Sequence, residues 1–446
     1  MINSILNELK GKNVAILGFG TEGKATYHFI RRYSDMKLTI IDKRNILEDN
    51  SYLNDDKNIS VIYGDDYLND LEKYDLVIKG PGVVTKDIDV SNINFSSELE
   101  LLLKYNGKNT IGVTATKGKS TTSTLAYEVI KACNPNVKLL GNIGTAIFDE
   151  IESIREDTLC VVEMSALQLE YVVDSPHIGV IINLYEDHLD HAGSVEHYHQ
   201  DKLNMFKYQN SSDYAIYSKD IEPLNSYIDS KYKAHKYGIC LKNDNSENTT
   251  HIDGDYVVLN NEKLYNINDE RILIGEHNLR NIMIVLTIAK ILNLDMEKVI
   301  NTINHFKGLE HRLQYVGTYD GVLYYDDAIS TVPISCINAI MSLQKVDTLI
   351  LGGLDRGISY QDLIDYLNTG VVRNLICMPE TGYKIADSIT NEKVNVYKIE
   401  LLEDACKKAK EITYKNMICV LSPAASSYNY FKNYIEKGNA FQKYIK

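Results

Sequence analysis

Residues 110–123 read TIGVTATKGKSTTS, and three neighbours in that run carry charge-handling chemistry. Gly118, Lys119 and Ser120 form the G-K-[ST] core of a phosphate-binding loop. There the lysine reaches the β- and γ-phosphates of a nucleotide and the hydroxyl ligates Mg²⁺. The spelling departs from G-x-x-x-x-G-K-[ST]: the first glycine would fall at 113, where Val113 stands, and Gly112 is one place early. Ala115 occupies a second turn position. Glu163, closing the apolar run LCVVE, is a carboxylate at a strand end, placed to hold Mg²⁺ if the loop lies nearby; alone it is equally an ordinary strand-end acid. Residues 183–206, NLYEDHLDHAGSVEHYHQDKLNMF, carry four histidines without H-E-x-x-H spacing and without cysteine, so a structural zinc site is poorly supported. His188, beyond the strand IGVIIN, is the one best placed to work near a metal; the others read as surface or capping groups. GFGTEG (18–23) fits G-x-G-x-x-G, and Asp42 follows Gly23 at the end of the next strand. That pattern suits either a dinucleotide, with Asp42 on a ribose, or the diphosphate of another nucleotide. KGPGV (79–83) adds a second glycine turn in the same region.

These residues need strands and helices to hold them. NVAILGFG (13–20), KLTIID (37–42), ISVIYG (59–64) and YDLVIKGPG (74–82) are short apolar runs ending in turn residues, the pattern of buried parallel strands. SSELELLLKY (96–105) reads as a helix capped by Ser96 or Ser97. NTIGVT (109–114), LCVVE (159–163) and IGVIINL (178–184) continue the alternation. Around 241–270 an exposed polar loop and a β-hairpin are expected, then an apolar helix over 277–293. The alternation pauses at HFKGLEHRLQ and restarts with GVLYYDD (321–327), DTLILGG (347–353), NLICM (374–378), VNVYKI (394–399) and MICVLSP (417–423). The expected class is α/β in three consecutive domains with parallel sheets, the last boundary falling near 305–312.

The bulk properties fit an ordinary globular chain. It has 446 residues, 44% hydrophobic and 24% charged, with a formal net charge of -14. That acidity argues against a general nucleic-acid binder but leaves room for anionic small molecules, which need only local cations and backbone N–H groups. Seven cysteines, none in a C-x-x-C pair, read as reduced thiols. No apolar run approaches the ~20 residues that span a bilayer, and the first residues lack a basic-then-apolar leader. A cytoplasmic protein, monomeric and without membrane insertion, is expected.

Taken in order, the segments resemble the Mur ligase family over nearly the whole chain, most of all its branch that adds glutamate to UDP-N-acetylmuramoyl-L-alanine. The family loop T-G-T-x-G-K-[ST]-T is matched by Thr114 to Thr121, with Ala115 the one departure. Ala is tolerated there if φ stays negative. GNIG (141–144), EMSALQLE (163–170, with Ala166 for a second serine), NLYEDHLD (183–190), YHQDKLNMF (198–206), GEHNLRN (275–281), EHRLQ (310–314), YYDDAIST (324–331), LGGLDRG (351–357) and LSPAASSYNYFKNYIEKGNAF (421–441) match its further motifs.

The resemblance implies a Rossmann-like N-terminal domain over 1–106, a P-loop-type ATPase domain over 107–310 and a Rossmann-like C-terminal domain over 311–446, and it implies roles. Lys119, Glu163, His188 and Lys202 would be catalytic, with Lys202 as a carbamylated lysine, and Ser120, Glu163, His188 and Lys202 would hold Mg²⁺. Thr116, Lys117, Gly118, Lys119, Ser120, Thr121, Asn278, Asn281, Arg312 and Asp327 would bind ATP. Gly18, Gly20, Thr21, Lys43, Arg44, Gly80, Gly82, Asn142 and Gln168 would bind the UDP-sugar peptide. Arg356, Ser427, Tyr428 and Tyr434 would receive the amino acid. The implied activity is ATP-dependent amide formation through an acyl phosphate in peptidoglycan precursor synthesis, with domain closure. Family members carry Lys-Ala-Thr-Asn after the third-domain Asp-Ser; here Asp327 is followed by Ala328, Ile329 and Ser330. D-glutamate is the first expectation, with L-glutamate or another Mur step, such as L-alanine addition, as alternatives. Outside that class stand an NAD-dependent oxidoreductase built on GFGTEG and a non-catalytic nucleotide-binding relative.

Overall fold

The structure, a computed structural model, describes residues 1–142, 145–186, 193–228, 232–355, 357–427 and 430–446. The chain divides into two compact units: residues 1–270 with 276–304, and residues 271–275 with 305–446.

The first unit carries two sheets. Strands β1 (Val14–Leu17), β2 (Leu38–Asp42), β3 (Ile59–Tyr63), β4 (Leu76–Lys79) and β5 (Phe95–Ser96) form a parallel sheet in the order β3-β2-β1-β4-β5. Every residue of β1 and β4 is buried, because helices pack on both faces; this is why the runs are apolar throughout rather than alternating. The order reverses at β1, so the turns after β1 and β4 meet at the switch point, where α/β sheets bind ligands. Ser97 caps the helix Glu98–Asn106, accepting from Glu100 N at 3.0 Å; such a cap is worth about 1 kcal/mol.

The second sheet has nine strands among the described residues: β6 (Thr110–Thr114), β7 (Val137–Gly141), β8 (Leu159–Glu163), β9 (Ile178–Ile181), β10 (Tyr214–Ser218), β11 (His235–Cys240), β12 (Thr249–Asp253), β13 (Tyr256–Leu259) and β14 (Glu262–Asn266). Their order is β14-β13-β12-β11-β10-β9-β6-β8-β7. It is parallel from β7 to β12, and the expected hairpin appears as the antiparallel pair β13–β14 at one edge. The phosphate-loop strand β6 lies centrally, between β8 and β9.

Buried polar bonds join the two sheets. Glu98 accepts from Thr26 Oγ1 at 3.1 Å and from Phe148 N at 3.2 Å, and its burial pushes the carboxyl well above the usual carboxylate range. Lys79, at the end of β4, pairs with Glu170 at 3.0 Å. These groups have no water to return to, so losing one partner strands the other.

The second unit holds β15 (Gln314–Tyr319), β16 (Val322–Asp326), β17 (Val346–Leu351), β18 (Asn374–Cys377), β19 (Asn395–Lys398) and β20 (Ile418–Leu421), ordered β15-β16-β20-β17-β18-β19. All pairs are parallel except β15–β16. The short or polar strands β5, β7, β10, β11 and β15 have too little apolar run to declare themselves in the sequence. Among the described residues no helix is long and apolar enough to cross a membrane.

Candidate active site

The loop between β6 and the helix Lys119–Cys133 is built by three kinds of contact. Gly118 takes φ +93°, a conformation that glycine adopts freely, and so turns the chain into the helix. A side chain at 118 would also press on Asn281 Oδ1, 3.3 Å from where its Cβ would lie. Asn183, just past β9, staples the loop from the adjacent strand. Its Oδ1 accepts from Thr116 N at 3.1 Å and Lys117 N at 2.9 Å, and its Nδ2 donates to Lys117 O at 2.8 Å. Thr116 Oγ1 exchanges hydrogen bonds with Tyr185, accepting from its N at 3.0 Å and donating to its O at 3.2 Å. Ala115 is buried and is not among the described non-glycine residues with positive φ, so its methyl is accommodated.

Two lysines converge on that loop. Lys119 Nζ donates to Ala115 O at 2.8 Å and Thr116 O at 3.1 Å. Lys202, on the helix Val195–Lys207, is 1% exposed and donates to Ala115 O at 3.0 Å, its Nζ lying 4.6 Å from the Tyr198 ring centroid. Across β6, Glu163 ends β8. Its Oε1 accepts from Asn142 Nδ2 at 2.7 Å, while Oε2 is buried without a hydrogen-bond partner. A buried carboxylate oxygen without a donor is chemically suited to a cation. Ser120 is buried at the first turn of the loop's helix. Asn278 and Asn281 share a helix face as their spacing predicts, Asn281 Nδ2 donating to Asn278 Oδ1 at 3.2 Å, and Asn281 is the one that meets Gly118. Thr121 is half-buried on the same helix as Lys119.

At the switch point of the first sheet, Gly18, Gly20 and Thr21 follow β1, Lys43 and Arg44 follow β2, and Gly80 and Gly82 follow β4. Gly23 packs so closely that a Cβ would lie 2.0 Å from Gly18 O, the close helix–strand approach the third fingerprint glycine serves. Asp42 braces this turn: Oδ2 accepts from Phe19 N at 2.8 Å and Oδ1 from Arg44 N at 2.9 Å. Lys43 and Arg44 are exposed beside it, Arg44 with its Nε 3.6 Å from Asp42 Oδ1. Gln168 completes a capping box with Ser165 and donates to Glu22 Oε1 at 2.6 Å. Burial raises the Glu22 carboxyl above its ordinary value.

Against this geometry stand the relatives. A family model described as the Mur ligase middle domain matches residues 113–289. The UDP-N-acetylmuramoylalanine–D-glutamate ligase of Oceanobacillus iheyensis is 30% identical, covering 98% of this chain and 98% of its own. The enzyme of that name from Thermoanaerobacter sp. is 31% identical over 98% of this chain and 99% of its own. The chain belongs to the Mur ligase family. Among solved structures, the UDP-N-acetylmuramate–alanine ligase of Thermotoga maritima superposes with a TM-score of 0.56 at 17% identity, covering 97% of this chain and 98% of that one. The MurF ligase of Thermotoga maritima, in complex with ADP, gives 0.53 at 16%, covering 97% and 94%. These likenesses bear on the fold: the Mur ligase architecture of three α/β domains.

In the second unit of this Mur ligase, Asp327 directly follows β16, Ser427 lies beyond β20, Arg312 precedes β15 and Tyr434 opens the last helix. Asp327 is 2% exposed; Oδ1 accepts from Leu313 N at 3.2 Å and Oδ2 from Ser422 Oγ at 2.7 Å. Burial pushes its carboxyl up to about 6, against the pull of the Ser330 and Ser422 hydroxyls. Arg312 sits between His311 and Leu313, both at positive φ, in the short bridge Leu309–Arg312. Ser427 is 1% exposed with a partnerless Oγ, and Tyr434 opens the last helix with its ring edge-on to His311. His188, Arg356 and Tyr428 lie outside the described residues.

Two features escaped the sequence reading. Asn183 was visible only as the first letter of a metal motif, although an asparagine directly after a buried strand is a natural brace for a loop on the neighbouring strand. His199, in a cluster read mostly as surface or capping groups, is buried on the helix that carries Lys202, and burial lowers its pKa.

Proposed function

We propose that the protein is an ATP-dependent ligase joining the amino group of glutamate, D-glutamate foremost, to the alanine carboxylate of UDP-N-acetylmuramoyl-L-alanine in peptidoglycan precursor synthesis. One observation carries the reading. The glycine-lysine loop is braced by Asn183 from beyond β9, and the strand on the other side of β6 ends in a carboxylate with a partnerless oxygen, in a chain matched over 98% of its length by a D-glutamate ligase. We assign the UDP-sugar to residues 1–106, ATP to 107–310 and the amino acid to 311–446.

In this reading the β- and γ-phosphates displace the carbonyls that Lys119 now holds, and the first N–H groups of its helix cradle them. Glu163, Ser120, His188 and a carbamylated Lys202 would hold Mg²⁺; the partnerless Glu163 oxygen fits that role. When bound, Mg²⁺ neutralises charge on the transferring phosphoryl group. The alanine carboxylate attacks the γ-phosphorus and ADP leaves. The glutamate amine then attacks the acyl carbon, loses a proton and expels phosphate, leaving an amide. Lys119 stabilises the charge of the first step. Asn278, Asn281, Arg312 and Asp327 are assigned to the nucleotide. Gly18, Gly20, Thr21, Lys43, Arg44, Gly80, Gly82, Asn142 and Gln168 are assigned to the UDP-sugar peptide, and Arg356, Ser427, Tyr428 and Tyr434 to the amino acid. A cytoplasmic monomer is part of the same proposal.

The test is phosphate release from Mg·ATP and UDP-N-acetylmuramoyl-L-alanine with a panel of D- and L-amino acids. Release that depends on D-glutamate supports the reading. Release with L-glutamate alone moves the stereochemistry, for which Ile329 in place of the family lysine is the motive. No release with any acidic amino acid sinks it.

A further inference from the structure

The last helix, Tyr434–Ile445, buries a charge that the scheme above does not use. Lys437 is 2% exposed, and its Nζ donates to Gly352 O at 2.8 Å. Among the described residues no carboxylate pairs with it. A lysine buried without an anion is uncommon, since the charge has lost its water; burial here pushes the ammonium down to about 7.

The turn it holds is sewn to the segment after β20. Gly352 N donates to Pro423 O at 2.9 Å and Leu354 N to Ser426 O at 2.8 Å. The next residue, Ser427, is buried with a hydroxyl that has no partner. One turn therefore joins a cation lacking an anion to a segment bearing a hydroxyl lacking an acceptor or donor, and both deficits suit a carboxylate ligand. Three residues past β16, Ile329 stands where the family resemblance places a lysine.

We infer that Lys437 is a positioning residue that sets the preference for an acidic amino acid: it fixes the Gly352 turn from behind and gives the Ser427 side of the pocket its positive charge. This rests on the assignment of the amino acid to the second unit. Arg could not simply be assumed equivalent, since a guanidinium is wider and more weakly hydrated than an ammonium, but it keeps the charge.

The experiment uses the full chain with Lys437→Met, Lys437→Gln and Lys437→Arg, measuring kcat and KM for glutamate, its neutral isostere glutamine, and ATP. In the Met and Gln variants the KM for glutamate rises roughly tenfold, the effect of losing one favourable charge contact, while the KM for ATP stays within about twofold. The preference for glutamate over glutamine falls by the same factor, and Arg restores most of it. An unchanged preference in the Gln variant, which keeps a hydrogen-bond donor without charge, overturns the inference. So does a parallel loss with both amino acids. A wild-type protein inactive with every acidic amino acid sinks the ligase reading instead, so the two failures are distinguishable.

Discussion

The phosphate loop of the first unit and the strand-end cluster of the second are both built from buried polar groups, yet Lys119 in the first is held by its own turn and Lys437 in the second from far along the chain. Around the loop, Gly118 turns the chain and Lys119 folds back onto carbonyls three and four residues away, while Asn183 and Lys202 reach the same loop from distant segments. In the second unit the bonds run between distant segments. Asp327 is held by Leu313 and Ser422, Asp326 accepts from His311 at 2.7 Å and Gln442 at 2.8 Å, and Lys437 reaches Gly352. A lysine held by its own turn keeps its partners when distant segments change; one held across the fold loses its partner with them.

That contrast can be broken at its strongest point first. Lys119→Ala should cut phosphate release by about a thousandfold or more, the scale of a lost charge clamp on a transferring phosphoryl group, with the melting temperature little changed. Retained turnover would remove the loop from the chemistry. Asn183→Ala strands the Thr116 and Lys117 N–H groups. We expect about 1–3 kcal/mol of destabilisation in urea melts and a raised KM for ATP with the KM for glutamate unmoved. A uniform loss in all three would show that the brace is global rather than local.

The second unit offers a pH test. Because burial raises Asp327 to about 6, the folded protein binds the proton more tightly than the unfolded chain between about pH 4 and 6. Stability from this group therefore falls as pH rises through that window and is flat above it. Asp327→Asn should remove the slope, so the variant gains on wild type by on the order of 2 kcal/mol from pH 4 to 6.5. A constant difference across pH would mean that Asp327 keeps its ordinary affinity for protons. The smallest effect is expected at Ala115→Gly: turnover within about twofold, and a loss of roughly 0.5–1 kcal/mol from backbone entropy. A large gain in activity would show that the methyl crowds the loop after all.

The same contrast explains what the sequence made legible. Gly118, Lys119 and Ser120 are adjacent in the chain, and the strand before them and helix after them show in the apolar pattern; Glu163 announced itself by ending a buried run. Asn183 carries no local signature, since its value comes from β9 lying beside β6, a fact of sheet order. Lys437 reads as one more lysine on a polar helix; only the packing of that helix onto the Gly352 turn makes it buried. The parallel core strands were readable because burial on both faces leaves them continuously apolar. The edge strands β5 and β15 were not, being too short or too polar.

In the proposed reaction the γ-phosphoryl group passes through an acyl phosphate before the amide forms. The direct measurement labels the alanine carboxylate of UDP-N-acetylmuramoyl-L-alanine with ¹⁸O and follows the released phosphate by mass during turnover with Mg·ATP and glutamate. If the carboxylate attacks phosphorus and the amine then expels phosphate from carbon, one labelled oxygen appears in each phosphate released. Unlabelled phosphate accompanying amide formation would contradict the account.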